Sequence, residues 1–121
     1  MTKTYQMYID GAFCEASSGE RLVSINPATE EPWATFPEAT ASDVDRAVTA
    51  AQKAFQDGPW ARMSARDRGK VLKRVALELG NAGPELAVAE TTDTGKLLRE
   101  TRWQAKNLAE IYDYYGGLAD K

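Results

Sequence analysis

Residues able to do chemistry are scarce in this chain, and the scarcity constrains its function. Its 121 residues include no histidine and a single cysteine, Cys14. No Ser/His or Cys/His dyad, no Cys/His zinc site and no internal disulfide can be assembled from them. Carboxylates, lysines and tyrosines remain, and Glu90-Thr91-Thr92-Asp93-Thr94-Gly95-Lys96 gathers several polar groups in a short break between two helical patterns. Gly95 can take the positive φ that ends a helix, which leaves the Asp93 carboxylate beside the carbonyl-rich, negative end of the helix before it. Two arrangements accommodate an acid there. Either it is solvated and the dipole is screened, or a cation is held by oxygens of both the helix end and the side chain.

Other candidate motifs weaken when their neighbours are read. Gly95-Lys96 has the end of a phosphate-binding loop, but Glu90 stands where that loop needs glycine and Leu97 where it needs Ser or Thr. No Gly-x-Gly-x-x-Gly occurs. Gly80-Asn81-Ala82-Gly83 has the form of a clamping loop between helices, but Pro84 follows it directly and a plain inter-helix loop is the simpler reading. Arg62, Arg66, Arg68, Lys70, Lys73 and Arg74 lie opposite an apolar stripe and read as a solvated face. Cys14 has no base near it in sequence and reads as a small buried residue. Trp33 and Trp60 are expected in core or interface. Trp103 differs, because it lies off the main apolar face with Asn107 one helical turn away.

The elements that must position these residues divide the chain in two. Strands are predicted at Met7–Ile9 and Ala12–Cys14, joined by the Asp10-Gly11 turn, then at 21–25 and 33–36 around the Asn26-Pro27 turn. From there the pattern is helical. Ser42-Asp43-Val44-Asp45 reads as a capping box, and the apolar positions Val44, Ala47, Val48, Ala51 and Phe55 follow at helical spacing up to Gly58-Pro59. Ser64 to Asp67 starts a second helix with Val71, Leu72, Val75, Ala76 and Leu79 inward, ended by 80–83. Pro84 begins a third, which runs into the Asp93 turn. A fourth runs from about 97 to 115 with Leu98, Ala105, Leu108 and Tyr112 on one face, closed by Gly116-Gly117. The expectation is one α/β domain with a strand segment at 1–37 and a helical segment at 42–119. Four short strands cannot cover four helices, so part of the apolar surface is expected to pack on sequence outside these residues.

The composition is that of an ordinary soluble protein, 43% hydrophobic and 27% charged. A net charge of −3 argues against a nucleic-acid or anionic-membrane surface. No apolar run approaches the roughly 18 residues of a membrane span, and the polar, aromatic start lacks a signal-peptide core. A cytoplasmic location is the default expectation.

Taken together, the chain resembles the amino-terminal part of NAD(P)-dependent aldehyde dehydrogenases. The resemblance is carried by Tyr8-Ile9-Asp10-Gly11, Ile25-Asn26-Pro27-Ala28-Thr29, the run from Ser42 to Val48 with Ala50-Ala51 and Ala54-Phe55, Gly58-Pro59-Trp60, Thr92 to Lys96, and Tyr114 to Lys121. It implies the amino-terminal portion of that family's fold, short strands and hairpins followed by about four helices of the cofactor domain. It also implies what is missing: the nucleotide-binding turn, the cofactor-contacting lysine, the general-base glutamate and the nucleophilic cysteine lie outside this stretch in the family. Cys14 matches none of them. The implied role is scaffold within an oxidoreductase that takes an aldehyde to a carboxylic acid with NAD or NADP. In that reaction a cysteine thiolate attacks the aldehyde, hydride passes to the nicotinamide, and a glutamate activates water.

Two sets of positions carry over from the resemblance. In members that bind a monovalent cation, K+ or Na+, the oxygens come from positions matching Ser24, Ile25 and Asp93. A solvated Asp93 remains the alternative. One wall of the substrate tunnel matches Trp103 and Asn107. The family also implies a homo-oligomer. A different reading is a truncated, non-catalytic homologue acting as an interaction or oligomerisation module through its unpaired apolar faces.

Overall fold

A computed structural model describes residues 2–121. Its contacts divide the chain into two compact units, residues 1–61 and 62–121.

The first unit begins with β1 (Lys3–Thr4), β2 (Met7–Ile9) and β3 (Ala12–Cys14). β2 and β3 form the expected antiparallel hairpin, with Asp10 at φ 52° and Gly11 at φ 81°. Positive φ at both central residues is the backbone such a two-residue turn requires. β4 (Arg21–Asn26) and β5 (Glu31–Pro37) pair antiparallel, and β1, which the sequence pattern did not reveal, adds to β5 in parallel to give the order β1-β5-β4. Two residues are too few to show a strand period. The register shifts between Ser24 and Ile25, so Ser24 faces Ala34 while Ile25 faces Pro32, and Trp33 is the extra residue.

Helix α1 (Ala41–Asp57) follows, and its start corrects the sequence reading. The cap is Thr40, not Ser42. Thr40 Oγ1 accepts from the Asp43 N–H at 3.3 Å, and Asp43 Oδ2 accepts from the Thr40 N–H at 3.0 Å. Thr40-Ala41-Ser42-Asp43 and Ser42-Asp43-Val44-Asp45 have the same spacing, so sequence could not choose between them. The apolar stripe of this helix is exposed, with Val44 at 52%, Val48 at 58% and Phe55 at 78%, and the buried residue of α1 is Asp43. Periodicity marks an apolar face, but burial requires a partner.

A short turn, α2 (Pro59–Arg62), precedes the second unit's two long helices, α3 (Ala65–Thr94) and α4 (Leu98–Leu118). Ser64 caps α3 as expected, its Oγ accepting from the Asp67 N–H at 3.1 Å. Hydrogen bonds from Lys70 and Ser64 hold the Asp67 carboxyl below the usual carboxylate range. The predicted break at 80–83 does not occur, and Pro84 lies inside one 30-residue helix. Proline removes one N–H and crowds the carbonyl four residues back. Here that residue is Gly80, and packing on α4 holds the helix together across the proline. Gly116 and Gly117 likewise lie within α4 and do not end it. A Cβ on Gly69 would stand 2.6 Å from the Gly116 carbonyl oxygen, and one on Gly116 3.0 Å from the Gly69 oxygen. Glycine is used there for close helix approach.

Candidate functional site

The turn singled out by its chemistry is built by the end of α3. Gly95 adopts φ 74°, and its N–H donates to the Thr91 carbonyl at 2.9 Å. This is the left-handed cap that the sequence predicts. Thr92 and Thr94 donate their hydroxyls back to the carbonyls of Val88 and Glu90, each at 2.7 Å. Lys96 Nζ lies 2.5 Å from Glu90 Oε1, so the local ammonium neutralises Glu90. Asp93 falls in the last turn of α3 and is exposed. Its carboxylate and the helix-end carbonyls are hard oxygen donors, the type that suits an alkali cation.

Ser24 and Ile25 belong to the first unit, at the β-bulge. Ser24 Oγ accepts from Trp33 Nε1 at 2.9 Å, a link with no local signal in the sequence. Asn26 organises the following turn: its Oδ1 accepts from the Ala28 N–H at 2.9 Å and its carbonyl from the Glu30 N–H at 2.8 Å. Asp93 lies in the second unit, so the three carried-over cation positions are divided between the two units. Among the described residues no cluster of three or more His, Cys, Asp or Glu side chains suits a metal ion.

Trp103 and Asn107 lie one turn apart on α4. Trp103 is 65% exposed and Asn107 half-buried. They point away from the helix face that carries Thr101, which is fully buried. Thr101 is the polar residue that the sequence reading missed. Its hydroxyl lies 2.8 Å from that of Thr91 and donates to the Leu98 carbonyl at 3.1 Å. A threonine inside a helix carries no sequence mark of such a role.

The other buried polar group is Asp43. Oδ2 accepts from the Thr40 N–H and the Ser17 N–H, both at 3.0 Å, and from the hydroxyls of Thr40 at 2.9 Å and Ser17 at 3.1 Å. The Thr40 backbone, then the Ser17 backbone, hold its pKa far below the usual carboxylate range, against the opposing effect of burial. Arg46 Nη2 lies 3.4 Å from Oδ1, which has no hydrogen bond of its own. The same guanidinium donates to Cys14 Sγ at 3.8 Å. Cys14 is half-buried beside an open cavity of ≈ 640 Å³ and not enclosed as expected.

Comparison with known proteins places this architecture. The model of the aldehyde dehydrogenase family matches residues 13–121. The chain belongs to the aldehyde dehydrogenase family. It is 49% identical over 117 residues to the (Z)-2-((N-methylformamido)methylene)-5-hydroxybutyrolactone dehydrogenase of Acinetobacter baylyi, covering 97% of this chain and 24% of that protein. It is 36% identical to the betaine aldehyde dehydrogenase of Bacillus subtilis, again covering 24% of that protein. The fold superposes with a TM-score of 0.92 on an NAD-dependent aldehyde dehydrogenase from Sinorhizobium meliloti, at 36% identity, over 97% of this chain and 24% of that one. A Staphylococcus aureus betaine aldehyde dehydrogenase in complex with NAD+ gives 0.90 at 37% identity, over 97% and 23%. The chain thus spans about a quarter of the length of these aldehyde dehydrogenases and corresponds to their amino-terminal part.

Proposed function

We propose that these residues form the scaffold-building amino-terminal quarter of an enzyme that oxidises an aldehyde to a carboxylic acid with NAD or NADP. The observation that carries this reading is the match in both sequence and fold over nearly the whole chain and only 24% of the relatives. The residues present do not fit a dinucleotide site by themselves, since they contain no Gly-x-Gly-x-x-Gly turn. When bound, the cofactor supplies a hydride acceptor. This chain supplies none of the reacting groups. Its contribution is mechanical and steric: α3 and α4 form a rigid pair, Trp103 and Asn107 present an indole and an amide as part of a substrate wall, and Asp93, Ser24 and Ile25 offer oxygens for K+ or Na+. The complete enzyme acts on a small-molecule aldehyde as a homo-oligomer. No described helix is long and apolar enough to cross a membrane.

The test is direct. Purified 1–121 is expected to form no NADH or NADPH from a panel of aldehydes and to give no calorimetric signal with either nucleotide; turnover by this chain alone overturns the reading. Joined to the remaining three quarters of a relative, it is expected to support turnover, and Trp103→Ala there should raise KM more than it lowers kcat. A second reading, a non-catalytic module that docks through its apolar faces, is favoured by the exposure of Phe55 (78%), Tyr115 (59%) and Trp103 (65%). It predicts a stable self-complex of 1–121 by sedimentation, which a clean monomer at high concentration excludes.

A further inference from the structure

We propose that the Thr91–Thr101 hydrogen bond sets the rotation of α4 about its axis and so the direction in which Trp103 and Asn107 face. Thr101 is a positioning residue for the substrate wall; its importance for substrate rests on the functional reading above. Thr101 has one hydroxyl proton, which goes to the Leu98 carbonyl at 3.1 Å, so at 2.8 Å Thr101 accepts from Thr91. The relay therefore runs Thr91 to Thr101 to Leu98. The carbonyl of the same Thr91 takes the Gly95 N–H at 2.9 Å, which ties the left-handed turn into the relay.

Within α4 the buried residues are Thr101 and Gly116, and Leu98 and Ala105 at this end are half-buried. The buried aliphatic side chains of the second unit are Ala76 and Ala87, and the closest approach, Gly69 to Gly116, lies near the far end of α4. Close backbone contact fixes the spacing of two helices, whereas alanine-sized contacts tolerate small rotations. A short hydrogen bond between the fully buried Thr101 hydroxyl and the half-buried Thr91 hydroxyl does not, since its strength falls with both distance and angle. At about 100° per residue, Trp103 lies about 200° and Asn107 about 240° round the helix from Thr101. Holding Thr101 inward therefore turns both outward, and Trp103 is indeed 65% exposed.

The experiment uses the 121-residue chain labelled with fluorotryptophan, with the Trp103 resonance assigned by Trp103→Phe. Thr101→Val, which keeps volume and loses the hydroxyl, should move or split the Trp103 fluorine resonance and speed amide exchange over 98–107 about tenfold, the factor expected from losing one buried hydrogen bond. Thr101→Ser should return the resonance to its original position, and Thr91→Val should reproduce the effect of Thr101→Val. An unmoved Trp103 resonance in Thr101→Val, or an equal shift in Thr101→Ser, overturns the proposal. If Thr101→Val does not fold, Thr91→Val decides by the same criterion. A moved resonance combined with an unchanged KM for Trp103→Ala in the joined enzyme would leave the pin standing and remove the substrate wall.

Discussion

The strand unit is gathered on one carboxylate, whereas the helical unit is closed by the lack of side chains where its helices cross. Asp43 collects donors from Ser17 and Thr40 and joins the loop after β3 to the start of α1. Gly69 and Gly116 let α3 and α4 approach to backbone contact. Neither unit buries a large aliphatic residue: among the described residues the buried ones are Ala16 and Ala34 in the first and Ala76 and Ala87 in the second. The comparison shows how each unit, with much of its apolar surface exposed, still holds its own fold. Directional bonds do it in the first; in the second, close glycine contact sets the helix spacing and the Thr91–Thr101 bond adds direction.

Asp43 should break the comparison most visibly. Asp43→Ala leaves the Ser17 and Thr40 donors without an acceptor. Urea unfolding followed at Trp33 should lose its folded baseline while the helical signal of α3 and α4 persists. The same carboxylate gives the strand unit a pH dependence. Its folded pKa lies below the ordinary carboxylate value, so its stabilisation is complete above that ordinary value and is lost as pH falls towards the folded one. The Trp33 midpoint should therefore drop between neutral pH and about pH 3 in the native chain but stay flat in Asp43→Asn. Equal acid sensitivity in both would refute the assignment.

The glycine crossing comes next. Gly69→Ala puts a methyl 2.6 Å from a backbone oxygen and should destabilise the helical unit by about 1–3 kcal/mol, read from denaturation followed at Trp103. Thr101→Val should cost about 1 kcal/mol in the same assay, the worth of one buried hydrogen bond. Gly80→Ala sharpens the contrast from the other side. With nothing within 4 Å of the new methyl, it should stabilise α3 by about 0.5–1 kcal/mol. A loss at Gly80 as large as at Gly69 would mean that the close crossing does not distinguish the two positions.

Much of this was readable beforehand. The Asp10-Gly11 hairpin, the Asn26-Pro27 turn, the Ser64 cap and the Gly95 cap all formed where local chemistry predicts, because each depends on a few adjacent residues. The misread features depend on neighbours far away in sequence. Pro84 and Gly116 carry breaker signals, yet both lie inside helices because the facing helix repays the local cost. Thr40 and Ser42 offer equal caps, and the choice falls to the one whose Asp, at N3, also reaches Ser17.

The sequence by itself determined the family and the succession of a strand segment and a helical segment, since motifs and periodicity need no coordinates. The tertiary structure alone decided which polar groups are buried. Asp43 and Thr101 look like any capping or helical residues until a second segment closes over them. Burial is a property of the partner as much as of the residue. For the same reason the stripe of Val44, Val48 and Phe55, apolar by sequence, stays exposed in this unit.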